Sequence, residues 1–511
     1  MRALDLAIIV VFLVGMPLLG VLIAGRQKSA NDYFVGEGKI SWWVACLSVV
    51  SAETSTLTVL SVPTVAYLGA FTYLQLAIGY VLGRIVVSFV LLPRYVAGDM
   101  TTAYNFLGKR FGAGLQGTAS VTFLFTRLLA DGVRLFATAI PIKVVLAAYG
   151  VNAAYWQIVA VLGVAMVVYT FFGGVRAVVW VDAIQMLWYV LGGVAVIVVL
   201  SGKLPDGWFT TAVDAGKTQL FDFTSGPLSN PYSVVTAVIG GAVLSMASHG
   251  ADQLIVQRLM ACNDVKASQK ALIASGVVVF LQFALFLFIG TMLWAFYRGL
   301  DPVEDLGLTA NDELFASFIV TELPSGLSGF VIAGILAAAL SSSLGALASS
   351  TVTDVYQRVV RRPLSDRELL RQGRLWTVVW AGALIVFASL FTTTKNPIVE
   401  TALAITGYTY GALLGAFLLG LLVRKARQTD AIIAFLATVA VMAFVILGLK
   451  FSKSTGAFLG VDFAKASGDS VALAFPWYTP LGVLVTLVVG GLLALRHRTR
   501  SLAASTVADR R

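Results

Sequence analysis

A chain of 511 residues with 58% apolar and only 12% charged residues is not a water-soluble domain. Soluble domains carry about 25% charged residues, and no aqueous core could hide this much apolar surface. With a mean hydropathy of +0.88 and a net charge of +10, lipid must cover the apolar surface and the basic excess must sit at its edges. Two cysteines, Cys46 and Cys262, lie in or beside apolar runs and offer no disulfide framework.

The chain opens with an apolar run to about Ala24. It has no cluster of positive charges ahead of the run and no small-residue cleavage site, so it reads as a retained span. A hydrocarbon core needs about 20 apolar residues per helix. Thirteen such runs follow one another, at 4–24, 42–66, 72–93, 118–149, 154–173, 178–201, 232–257, 271–297, 326–354, 375–393, 397–423, 431–449 and 478–496. They are long and continuously apolar, which predicts helices rather than the alternating ~10-residue strands of a barrel. With the N-terminus outside, nine Lys and Arg fall on outer segments, Arg84, Arg127 and Arg134 fall within spans, and the remaining 24 of the 36 collect inside. This predicts a multi-pass protein of the inner (plasma) membrane with a cytoplasmic C-terminus, and no nucleic acid is needed to explain the charge. The outer segments 202–231 and 298–325 are polar enough to form lids. The chain reads as one transmembrane domain over 1–511 with no appended soluble domain and a cytoplasmic tail at 497–511, lipid being its surroundings and a monomer its simplest state.

Polar groups inside such spans are costly and are usually kept for a function. The second span carries Ser48, Ser51, Glu53, Thr54, Ser55, Thr56 and Thr58 within eleven residues. Hydroxyls alone can bond back to their own helix, but a carboxylate among them favours a broken helix whose freed carbonyls and hydroxyls bind a cation or solute. In the fourth span Arg127 and Asp131 are spaced to pair on one helix face, which leaves Arg134 for a substrate carboxylate or for a partner on another span. In the sixth, Asp182 stands beyond Arg176 as its structural partner, a cation ligand, or both. The seventh is interrupted by Gly240, Gly241, Ser245, Ser248, His249 and Gly250 ahead of Asp252 and Gln253. Five spans separate it from the second, as two repeats of five, 42–201 and 232–423, would require. The helix at 4–24 would then be an N-terminal extra and 431–496 two C-terminal helices. The ninth span places Ser341, Ser342 and Ser343 after Ala337, Ala338 and Ala339. Small residues there allow close packing, and two hydroxyls with carbonyls from the second span would make a five-oxygen sodium site.

Four strings in this order resemble the sodium:solute symporter family: Gly173-Gly174-x-x-Ala177-x-x-Trp180-x-Asp182-x-x-Gln185, then Asp252-Gln253 with Gln257-Arg258, then 337–342, then Tyr408-Thr409-Tyr410-Gly411 with Leu413-Leu414-Gly415. The resemblance implies an all-α, leucine-transporter-like core of five plus five inverted helices. It implies one Na⁺ held by carbonyls of Ser51, Thr54 and Ala338 and hydroxyls of Ser341 and Ser342. The sequence is about three residues shorter than many relatives between Ser342 and Asp354, and matching from the other side moves Ala338 and Ala339 into the hydroxyl positions. Asp182 and Ser343 are the candidates for a second sodium. Solute would meet Glu53, Ser55 and Thr58 beside the break, Arg134 on the fourth span, and Ser245, Ser248 and His249 on the seventh.

The implied activity is Na⁺-coupled import of a small polar solute (a sugar, sialic acid, organic acid or amino acid) by alternating access, with Na⁺ as the coupling ion and no cofactor. The alternatives are a proton-coupled carrier of the same fold, using Glu53 or Asp182, and a solute sensor. A channel would lack the interrupted pair of helices. An enzyme would need a metal cluster or a nucleophile–base pair, and the two histidines, His249 and His497, do not have metal-ligand spacing.

Overall fold

The computed structural model describes residues 3–25, 29–34, 40–54, 56–96, 100–148, 150–340, 343–360, 362, 364–391, 404–463 and 468–508. The described residues are mostly helical, as backbone placed in hydrocarbon must satisfy its own hydrogen bonds. Helix α1 spans Ala3–Ala24. Helix α2, Trp42–Glu53, stops where Thr54 turns to extended backbone (φ −80°, ψ 104°) while its N–H still bonds the Val50 carbonyl. The chain resumes as α3, Thr56–Leu68, with the two axes bent by 61°. Helix α4 covers Leu74–Val90 and α5 Ala113–Ala148.

The runs 154–173 and 178–201 are the two limbs of one long element, α6, Tyr155–Ser201, divided at Gly174 (φ 56°, ψ −159°). That conformation suits glycine alone, and a Cβ there would stand 2.7 Å from the Tyr33 carbonyl oxygen. Helix α7, Gly241–Gly250, also breaks. Asp252 is extended, and its carboxylate accepts from the Leu254 N–H at 2.9 Å to start α8, Gln253–Met260. Helix α9, Val265–Phe296, is capped by Asp264. Next come α10, Leu327–Leu340, and α11, Leu344–Ser350. Helix α12, Asp366–Ala388, opens with a Ser365–Glu368 capping box. The series ends with α13, Tyr410–Leu422, α14, Gln428–Gly448, and α15, Tyr478–Ala508.

Between α14 and α15 lies an element that hydropathy does not announce. Strand β1, Leu449–Ser452, pairs antiparallel with both β2, Phe458–Val461, and β3, Ser470–Ala472.

Among the described residues, six helices are long and apolar enough to cross a membrane, and the bent α2–α3 pair makes seven. Shorter apolar helices include Tyr410–Leu422 of α13. Helix α9 is central, packed on α2, α3 and α4, while α7 lies along α4. Gly79 and Gly83 permit that approach: a Cβ on Gly79 would meet the Val238 carbonyl at 2.5 Å, and one on Gly83 would overlap the Ala242 carbonyl. Helix α1 packs on α6 and α10, and its buried Asp5 caps α10 from outside, accepting from the N–H groups of Gly326 at 2.7 Å and Gly329 at 2.9 Å and from the Ser328 hydroxyl at 2.8 Å.

Candidate solute and sodium site

The two breaks meet around a cavity of about 140 Å³, walled by α4, α5, α7, α8, α9 and α13. Its lining is a set of charges embedded among aromatic rings. Glu53, the last residue of α2, is ion-paired to Arg84 of α4, which is 0% exposed and also donates to the Ser275 hydroxyl at 2.8 Å. His249 Nε2 stands 3.6 Å from the Glu53 carboxylate, and its Nδ1 is 2.8 Å from the Ser248 hydroxyl. A buried guanidinium and carboxylate tolerate this setting only because each compensates the other. Tyr73, Tyr80 and Phe283 supply an apolar wall.

On α5, Arg127 donates to Asp252 from Nη2 at 2.5 Å and from Nε at 3.1 Å, and the Tyr410 hydroxyl donates to the same carboxylate at 2.6 Å. This cluster joins α5, the α7–α8 break and α13. The Arg127–Asp131 pair that their spacing predicts is present, but as the longer contact, at 3.5 Å. Asp131 Oδ2 is buried without a hydrogen-bond partner. Arg134 has no ion-pair partner among the described residues. Its Nη2 donates instead to the main-chain carbonyls of Ala52 at 2.8 Å and Glu53 at 3.3 Å, two of the acceptors that the α2 break leaves open.

Of the solute residues named from the sequence, Glu53, Thr58, Arg134, Ser248 and His249 line this one cavity. Ser245 does not: its hydroxyl donates to the Tyr80 carbonyl at 3.1 Å, binding α7 to α4. Ser55 lies outside the described residues.

The sodium set is divided. Ser51 is buried, with its hydroxyl lacking a hydrogen-bond partner, and the Thr54 hydroxyl donates to Gln282 at 2.9 Å. Ala338 falls within α10, while Ser341 and Ser342 lie outside the described residues. Asp182 is not the partner of Arg176, which is exposed. Arg258 of α8 donates to it at 2.8 Å and the Ser48 hydroxyl at 3.0 Å, so it ties α6 and α8 to α2. Ser343 is buried at the start of α11, its carbonyl accepting from the Leu347 N–H at 3.0 Å.

Sequence reasoning left Arg84, Tyr80 and Arg258 without roles. A lone arginine in an apolar span calls for a carboxylate partner, and Glu53 was available for Arg84.

The sequence profile described as the sodium:solute symporter family matches residues 33–438. The sodium/sialic acid symporter NanT of Aliivibrio fischeri is 27% identical, over 93% of this chain and 90% of its own length. Human sodium-coupled monocarboxylate transporter 1 is 25% identical, over 92% and 83%. Among solved structures, the substrate-bound outward-open state of a Na⁺-coupled sialic acid symporter superposes with a TM-score of 0.79 at 25% identity, covering 96% of this chain and 98% of that one.

Proposed function

The chain belongs to the sodium:solute symporter family, and from that premise we propose that it imports a small organic carboxylate with Na⁺ by alternating access. The supporting observation is Arg134. Its guanidinium faces the cavity without a carboxylate and rests on the carbonyls of Ala52 and Glu53 at the α2 break. A carboxylate can accept two parallel N–H bonds from it. Drawing Arg134 toward the solute frees main-chain oxygens where the helix is broken, which links solute binding to the segment proposed to hold the ion.

In this reading Na⁺ is bound by the carbonyls of Ser51, Thr54 and Ala338 with the hydroxyls of Ser341 and Ser342. The Ser51–Thr54 half sits where α2 unwinds, as a hard cation seeking carbonyl oxygens requires. Asp182 already serves Arg258 and Ser48, which favours a single sodium over a second one at Asp182 and Ser343. Glu53 is already neutralised by Arg84, which argues against its use as a proton carrier. Breaks at Thr54 and Ala251 open the two proposed repeats at corresponding places. Thirteen spans, an outer N-terminus and an inner C-terminus complete the arrangement.

The experiment is uptake of radiolabelled carboxylates into proteoliposomes, with Na⁺ or choline outside at fixed pH. Accumulation is expected only in Na⁺, and equal uptake in choline would sink the reading.

A further inference from the structure

We propose that the solute is a small carboxylate of about three to six carbons that carries a hydroxyl or ammonium group one or two carbons from its carboxyl, with Asp131 as the second anchor. This rests on the reading of Arg134 as the carboxylate site.

Asp131 and Arg134 are three residues apart on α5 and both line the cavity. Side chains so spaced leave the helix about 5–6 Å apart on one face. Asp131 is 6% exposed, and Oδ2 has no hydrogen-bond partner. Its other oxygen is 3.5 Å from Arg127, whose stronger contacts go to Asp252 and Tyr410. A buried carboxylate oxygen left open costs free energy until a donor reaches it. The wall therefore carries a cationic fork and, three residues away on the same helix, an anionic acceptor whose Oδ2 is enclosed and which a ligand donor meets once the side chain turns toward the cavity, and a ligand that satisfies both must hold an acid and a donor within a few bonds of each other.

Size gives the second constraint. The cavity of about 140 Å³ matches the ~150 Å³ that accommodates a benzene-sized molecule. A sialic acid is several times larger. On α7, His249 is 2% exposed and lines the same cavity, its Nε2 3.6 Å from the Glu53 carboxylate. Phe283, Tyr73 and Tyr80 cover the carbon skeleton. A neutral sugar would leave Arg134 unmatched, and an unsubstituted acid would leave Asp131 unmatched.

The test uses the full-length protein purified in detergent with NaCl. Affinities are read by thermal shift for lactate, serine, propionate, glucose and N-acetylneuraminate. Lactate or serine is expected to bind about tenfold or more tighter than propionate, the worth of one hydrogen bond to a charged acceptor, and the lactate and serine arms separate hydroxyl from ammonium. Glucose and N-acetylneuraminate are expected to give no shift. Asp131→Asn is expected to bring the ratio to propionate near one while propionate still binds, and the wild-type ratio stands whether or not this variant folds. Propionate binding as tightly as both substituted acids, stabilisation by N-acetylneuraminate, or no response to any small carboxylate would each overturn the proposal. Repeating the series in choline separates the two readings: a preference that survives without Na⁺ sinks sodium coupling alone, whereas Na⁺-dependent binding of a neutral sugar sinks the carboxylate.

Discussion

Arg84 and Glu53 illustrate what a charge inside a membrane protein requires. Arg84 is fully enclosed, and its guanidinium is divided between Glu53 and Ser275. Replacing Glu53 with Gln strands the arginine, and replacing Arg84 with Met strands the glutamate. Each single change is expected to cost about 3–5 kcal/mol, whereas the Glu53→Gln/Arg84→Met double variant should recover most of the loss. Thermal denaturation of the four proteins closes the cycle, and additive losses would refute the pairing. At this scale the sequence was partly legible. Glu53, Thr58, Arg134, Ser248 and His249 share one cavity because polar residues in apolar spans have few places to go. Ser245 was read into the same site because a hydroxyl bonded to a neighbouring backbone looks identical in a sequence to one facing solute. Of the readings left open for Asp182, the pairing with Arg176 fails for a related reason: Arg176 is six residues away in the chain, but Arg258, 76 residues away, folds against it.

The helices show the same division between what is local and what is not. Run lengths marked the six described helices long and apolar enough to cross a membrane, and the Gly-Gly at 173–174 fell at the division of α6, because an element that needs φ 56° has little choice of residue. Both broken helices were visible as hydroxyl- and glycine-rich interruptions. The three-stranded sheet was not, since strands of three and four residues carry too short a period to read. Close packing of α4 on α7 depends on what Gly83 lacks. Gly83→Val is expected to force the helices apart at a cost of about 1–3 kcal/mol, with uptake falling alongside because Arg84 and His249 ride on those two helices. Gly491→Ala, on α15 with open space around it, is the matched control and should be neutral or stabilising by up to about 1 kcal/mol. Equal melting temperatures for the two variants would refute the packing argument.

At the scale of the whole molecule, the segment 202–231, proposed here as an outer lid, is tied to its neighbours by side-chain contacts. Lys217 donates to the carbonyls of Tyr67 at 2.7 Å and Gly69 at 3.0 Å, capping the C-terminal end of α3, with its ammonium 5.3 Å from the Trp294 ring. The Trp477 indole fastens the other end of the segment to the Pro227 carbonyl at 2.7 Å. Lys217→Met is expected to loosen this cover and to make the segment several-fold more susceptible to limited proteolysis in proteoliposomes, with the melting temperature little changed. An unaltered cleavage rate would count against a lid.

The first helix stands outside the two proposed repeats and could be taken for a dispensable anchor. Yet Asp5 supplies the acceptor on which α10 begins, and α10 is followed in the chain by Ser341 and Ser342, the hydroxyls proposed for Na⁺. Trimming the chain before residue 25 would therefore unseat a helix more than three hundred positions downstream. Such a shortened protein should still enter the bilayer but grip Na⁺ more weakly, and restoring α1 as a separate peptide should repair it.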